Sequence, residues 1–136
     1  MFLSRLEVVS LYVSANLLIL LVLAYLVILA RRKHKVSLGD GGNEHVTRAM
    51  RAHANAAEYV PAALIGLVLA ALLEPAFPDW LMNAAGLSLT VGRILHAIGI
   101  RQDGVPLSRR IGTALTWAAY VCLIIGLVYG ALAQRL

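Results

Sequence analysis

The sequence predicts an all-α fold, a four-helix transmembrane bundle built from a single domain over residues 1–136. Three observations predict it. Hydrophobic residues make up 60% of the 136-residue chain and charged residues only 14%, with a mean hydropathy of +0.79. A soluble domain of this size could not bury that much apolar surface. The apolar residues also gather into four stretches, each close to the roughly 20 residues that cross a bilayer. Finally, charges and turn-forming residues concentrate in the segments between those stretches. The expected helices cover about 6–30, 44–73, 80–100 and 109–133.

The first stretch, Val8–Ala30, is 23 residues without a charge. It is longer than the apolar core of a cleaved signal, and Arg31, Arg32, Lys33 and Lys35 follow it, so it reads as a retained anchor. Asn16 is its one strongly polar group and is expected to hydrogen-bond another helix. The next segment, "VSLGDGGNEH", is a turn-rich loop without the Gly-Lys-Ser/Thr ending of a phosphate loop.

Asn43 is a suitable N-cap for a second helix that begins near Glu44. Pro61 lies inside that helix, where its ring should clash with the Ala57 carbonyl and kink the chain. Pro75 and Pro78 bracket the following turn, and Trp80 suits the membrane interface. In the fourth helix Gly126/Gly130 and Ala114/Ala118 are small-xxx-small pairs of the kind that pack helices. The single Cys122 lies within that helix, which excludes a disulfide framework.

Loop charges set an expected orientation. The first loop carries four Lys/Arg between residues 31 and 35, and the third carries Arg101, Arg109 and Arg110 against Asp103. The second, "EPAFPD", has two acids, Glu74 and Asp79, and no base. The positive-inside rule places the first and third loops in the cytoplasm and both termini outside. The net charge of +5 then reflects topology and contact with membrane lipid. A nucleic-acid partner would need a basic soluble surface, which this chain lacks.

The second helix opens with an anomaly, "MRAHANAAEYVP". At about 100° per residue from Arg48, Arg51 falls near 300°, Asn55 near 340°, Glu58 near 280° and Tyr59 near 20°. These residues share roughly 100° of arc, whereas His53 points elsewhere, at about 140°. In the third helix Arg93 and His96 share a face at i, i+3. Counting from the uncharged helix ends places Glu58 and His96 about 6 Å deep and Arg93 about 10 Å deep. Charges at such depth should face the bundle or a wet cavity. Glu58 can pair with Arg93 or Arg51 but cannot neutralise both, which leaves a cationic surplus suited to a small cytosolic anion, above all a carboxylate. No metal is expected: the faces of His53 and His96 fit a shared ligand poorly.

The residues Arg51-Ala-His53-x-Asn55-x-x-Glu58 and Gly92-Arg93-x-x-His96 resemble the MAPEG family, the membrane-associated proteins of eicosanoid and glutathione metabolism. The resemblance covers the whole architecture and, in motif, two helices. It is closer to the microsomal glutathione transferase and prostaglandin E synthase branch, and the short chain is similar to bacterial members.

The resemblance implies a homotrimer in the bacterial inner membrane, with glutathione bound as co-substrate between subunits. It implies that Arg51, Asn55 and Glu58 hold the tripeptide beside Tyr59, with Arg93 and His96 around it. Arg31 would reach the cofactor, and His53 would come from a neighbouring subunit. Two departures stand out. Ile100 occupies a position where the family often has Tyr. A catalytic Arg closely follows a Pro in the family, and Pro106-Leu-Ser108-Arg109-Arg110 fits only with a one-residue shift. Arg109 is the expected thiolate stabiliser, with Arg110 and Ser108 as further catalytic candidates. The activity implied is conjugation of glutathione to lipophilic electrophiles, with possible peroxidase activity. The alternative is a non-catalytic lipid-binding or scaffold protein of the same fold.

Overall fold

The computed structural model describes residues 3–74 and 76–133. Pro75 lies outside the described residues, and with it one half of the expected proline bracket. The chain forms four helices in sequence, α1 (Arg5–His34), α2 (Glu44–Leu72), α3 (Asp79–Ile100) and α4 (Leu107–Ala133). All four are long and apolar enough to cross a membrane, and the described residues contain no strand.

Two helix ends differ from the expected ones. α1 continues past residue 30 through Arg31–His34, whose basic side chains in the last turn complement the helix dipole. It stops at Lys35, which adopts a left-handed conformation at φ 55°. The N–H of Val36 then returns to the Arg31 carbonyl at 2.9 Å. α4 starts at Leu107, directly after Pro106, whose carbonyl accepts the N–H groups of Arg109 and Arg110. Ser108, Arg109 and Arg110 therefore sit on the first turn of a helix. The start of α2 is as expected, with the Asn43 side chain accepting the N–H groups of His45 and Val46. α2 runs unbroken through Pro61, whose ring lies on an exposed side.

α2 and α3 are central. α1 packs on both, α4 packs on both, and α1 and α4 make no contact among the described residues. α1 buries only the stripe Val9, Asn16 and Leu23, one residue every seven, so it rests on the bundle along a single seam. Within that seam Asn16 donates to the Thr90 hydroxyl of α3 at 2.9 Å, the interhelical bond its position predicts. α2 buries mainly small residues, among them Ala49, Ala52, Ala56, Ala63 and Gly66, which lets its neighbours approach closely.

One end of the bundle is tied by Arg5. Its guanidinium donates to the carbonyls of Ala70 and Phe77 and lies 3.0 Å from the Asp79 carboxylate. The start of α1, the end of α2 and the start of α3 are thereby joined. Nearby, Phe77 and Leu81 fill the space that Gly126 leaves open on α4. Ala114 and Ala118, by contrast, are exposed.

α3 and α4 form the tightest pair, and glycine is the reason. A Cβ on Gly112 would lie 2.7 Å from the Gly92 carbonyl oxygen and 2.8 Å from the His96 Cα. Backbone cannot yield as a side chain can. Gly112→Ala should therefore force the two helices apart and cost about 1–3 kcal/mol. Gly130→Ala meets the flexible Leu73 side chain at 3.3 Å and Ala76 at an ordinary 3.8 Å, and should be close to neutral. Thermal unfolding of both variants in the same detergent would separate the two outcomes.

Candidate functional site

The centre of the site is Arg93, which is only 2% exposed. Gly92 beside it allows α4 to approach, since a Cβ there would lie 3.0 Å from both the Gly112 carbonyl and the Thr116 hydroxyl. The close approach brings Thr116 within reach. Arg93 donates to its Oγ1 from Nε at 3.0 Å and from Nη2 at 2.6 Å. Thr116 in turn donates to the Gly112 carbonyl at 2.8 Å. From the other side, Arg93 Nη1 donates to Asn55 Oδ1 on α2 at 2.8 Å. The guanidinium carbon lies 5.4 Å from the Tyr59 ring centroid, a cation–π distance. Tyr120 meets Tyr59 edge-on and donates its hydroxyl to the Tyr59 carbonyl at 2.7 Å.

The structure thus joins Asn55, Tyr59 and Arg93 as the sequence suggests, but it does not form the Glu58–Arg93 or Glu58–Arg51 pair. Glu58 is exposed and makes no ion pair among the described residues. The helical wheel supplies the reason: Glu58 is turned about 60° from Asn55 and about 100° from Tyr59, so α3 meets the amide and the ring rather than the carboxylate. Among the described residues Arg93 is held by uncharged partners only. His96 is buried one turn along, with its backbone against Gly112.

Toward the loop end, a groove of about 320 Å³ opens between the start of α2 and the α3–α4 turn. Arg51 and Arg109 line it together with Glu44, Thr47, Arg48, Ile100, Gln102 and Gly104. Arg48 is ion-paired with Glu44 and with Asp103, the latter at 2.7 Å. Arg51 and Arg109 have no such partner among the described residues. The groove therefore has unneutralised positive charge on two facing helices, 58 residues apart in sequence. Arg109 is fixed by its backbone, which packs directly on Gly99. Ser108 is half-buried and Arg110 is exposed, and neither lines the groove. Ile100 is 9% exposed and forms apolar wall where a Tyr would place a hydroxyl.

Arg31 and His53 lie elsewhere. Arg31 packs on α2 through an N–H directed at the Met50 sulfur, 3.6 Å away, and its buried Nε has no partner within the described residues. Met50 falls about 200° and His53 about 140° around α2 from Arg48. Both residues thus flank the side of α2 away from Arg51 and Asn55 and cannot join the same pocket within one chain.

Thr116 and Tyr120 are the site residues that sequence reasoning missed. A threonine in a membrane helix ordinarily bonds back to its own i−4 carbonyl, which conceals any further role. The available signal was arithmetic. A buried guanidinium about 10 Å deep needs acceptors, and Thr116 is the hydroxyl at comparable depth on α4.

The model of the MAPEG family matches residues 9–129 of the chain. The chain is also 31% identical over 117 residues to the protein named "Inner membrane protein YecN" of Escherichia coli K12, covering 85% of this chain and 86% of that one. The protein of that name in Escherichia coli O6:H1 strain CFT073 matches to the same extent.

Thr116→Val preserves shape but leaves two buried guanidinium N–H groups unsatisfied. A loss of about 1.5–3 kcal/mol is expected, with Thr116→Ser close to wild type. Denaturation in detergent micelles would check both.

Proposed function

The chain belongs to the MAPEG family, and from that premise we propose that it is a membrane-bound glutathione transferase that conjugates the glutathione thiolate to lipophilic electrophiles. The observation that carries the reading is the groove with two unpaired guanidinium groups, Arg51 and Arg109, next to the ordered Arg93–Asn55 array. Glutathione has two carboxylates, one ammonium and one thiol. Arg51 can grip a carboxylate bidentately. Asn55, with its carbonyl oxygen fixed by Arg93, presents its amide N–H groups to the ligand. Glu58 is an unpaired carboxylate suited to the ammonium.

Arg109 acts on the thiol. A cation near the sulfur favours the thiolate and thereby lowers the thiol pKa, while the arginine keeps its own proton. The thiol proton leaves to water. The thiolate sulfur then attacks an electrophilic carbon, a C–S bond forms, and the bond to a leaving group such as chloride breaks. A second use of the same thiolate is peroxide reduction: a lipid hydroperoxide becomes an alcohol and water while two glutathiones are oxidised to the disulfide.

In this reading the working unit is a homotrimer. Glu58 is exposed on α2 at membrane depth, where a charge facing lipid costs several kcal/mol or about 2.5 at the least, so a neighbouring subunit should cover it. Arg31 and His53, on the far flank of α2, would then complete the pocket of an adjacent chain. The exposed Ala114 and Ala118 of α4 offer a close-packing surface for such contacts. The location is the inner membrane, as in the name of the E. coli relative, with the basic loops in the cytoplasm and both termini outside.

A second reading is favoured by Ile100, which gives the groove an apolar wall: a lipid-binding protein of the same fold without thiol chemistry. One experiment separates the two. The wild type in nanodiscs should bind glutathione and show thiolate absorbance in the ultraviolet difference spectrum. Arg109→Ala should retain binding while the thiol pKa rises by about one unit or more. Arg51→Ala should weaken binding about tenfold, the equivalent of one charge-assisted contact. Turnover of a chloronitrobenzene should fall in both. Absence of glutathione binding in the wild type rejects the transferase reading, and binding without a thiolate signal supports the second.

A further inference from the structure

A second feature adjoins the cationic groove and shares Arg48 with it. Between α1 and α3 runs an apolar groove of about 310 Å³, lined by Leu18, Val22, Leu26, Ile94, Ala97 and Ile98. It extends for about 12 Å along α1, from Leu18 to Leu26. At one end it meets Arg101, and there it joins a second cavity of about 370 Å³. Leu26 and Arg101 line both spaces. The second cavity changes character toward the loops: its floor is Leu26, Leu29 and Ala30, and its rim is Lys33, His34, His45, Arg48 and Arg101.

The charges on that rim leave a clear surplus. Arg48 is neutralised by Glu44 and Asp103. Lys33 and Arg101 have no ion pair among the described residues. The two histidines are stacked, with ring centroids 5.6 Å apart, and Asn43 holds the His34 ring at 3.1 Å. They form a fixed wall between the end of α1 and the start of α2. Arg101 follows the last residue of α3 directly, and Lys33 lies in the last turn of α1. Both charges thus stand at headgroup level, above a groove that runs down into the hydrocarbon.

We propose that this face binds an anionic phospholipid, with its phosphate between Lys33 and Arg101 and an acyl chain along the α1–α3 groove. Charge complementarity selects the occupant. A second copy of this basic surface would bring like charges together, and a neutral lipid would leave Lys33 and Arg101 without a counter-charge. The site shares only Arg48 with the thiol groove, and the acids Glu44 and Asp103 already neutralise it. The proposal is therefore independent of glutathione chemistry. Occupancy would brace α1 against α3 along this groove.

The test uses the full chain in zwitterionic micelles, with lipid retention read by native mass spectrometry. Dioleoyl phosphatidylglycerol should be retained at least tenfold over dioleoyl phosphatidylcholine. Lys33→Gln with Arg101→Gln should abolish that preference, at about fivefold per charge removed. Ile98→Trp, which fills the groove, should reduce retention of both lipids. Equal retention of the two lipids by the wild type, or a preference that survives the double substitution, overturns the proposal. Competition by glycerol phosphate as strong as that of the whole lipid also overturns it, in favour of a free anion site. Should the variants fail to fold, the wild type alone still decides: its melting temperature should rise with phosphatidylglycerol and not with phosphatidylcholine, and equal shifts reject the idea.

Discussion

A guanidinium buried within a membrane bundle, with no carboxylate among the described residues to neutralise it, constrains everything around it. Arg93 is satisfied by a hydroxyl, an amide and an aromatic face on three other positions of the bundle. Each partner must be fixed, because an unmet N–H in a low-dielectric interior costs more than the bond it replaces. Thr116 can accept two N–H groups from Arg93 only because α4 lies close to α3. α4 lies close only because residues 92 and 112 have no side chain. The glycines and the arginine are therefore parts of one device. That device also orients Asn55 and Tyr59 on α2, and with them the face on which a ligand would rest.

The same close contact positions the groove. Gly99 seats the backbone of Arg109, so the first turn of α4 projects its cation over the start of α2. Pro106 starts that helix sharply, with its carbonyl capping two N–H groups. α1 stands outside this arrangement. It has one buried stripe, side-chain hydrogen bonds to α3 through Tyr12 and Asn16, and an anchor at Arg5. The bundle accordingly has the cationic groove on α2–α4 and the apolar groove between α1 and α3.

The proposed conjugation and the proposed lipid site divide the positive charge between them. Arg51 and Arg109 face one groove and Lys33 and Arg101 the other, while Arg48 between them is held neutral by Glu44 and Asp103. This division has a physical consequence. A cytosolic anion and a membrane anion can be bound at one end of the bundle without competing for the same cation.

The sequence by itself determined the four spans, the start of α2 at Glu44, the N-cap at Asn43 and the role of Asn16. Hydropathy, capping chemistry and the cost of a lone polar group in hydrocarbon are local properties, read within one helix turn or one span. It also identified the polar face of α2 and the Arg93–His96 pair, since helical periodicity places them from numbering alone. Only the tertiary structure decided which of these groups meet. Glu58 is turned away from Arg93, Thr116 and Tyr120 enter the site from a helix with no polar signature, and Arg109 rather than Arg110 faces the groove. Those outcomes depend on how closely α4 approaches α3 and on its rotation about its own axis. That geometry is set by backbone contact at Gly92, Gly99 and Gly112, residues whose significance lies in a side chain they do not have.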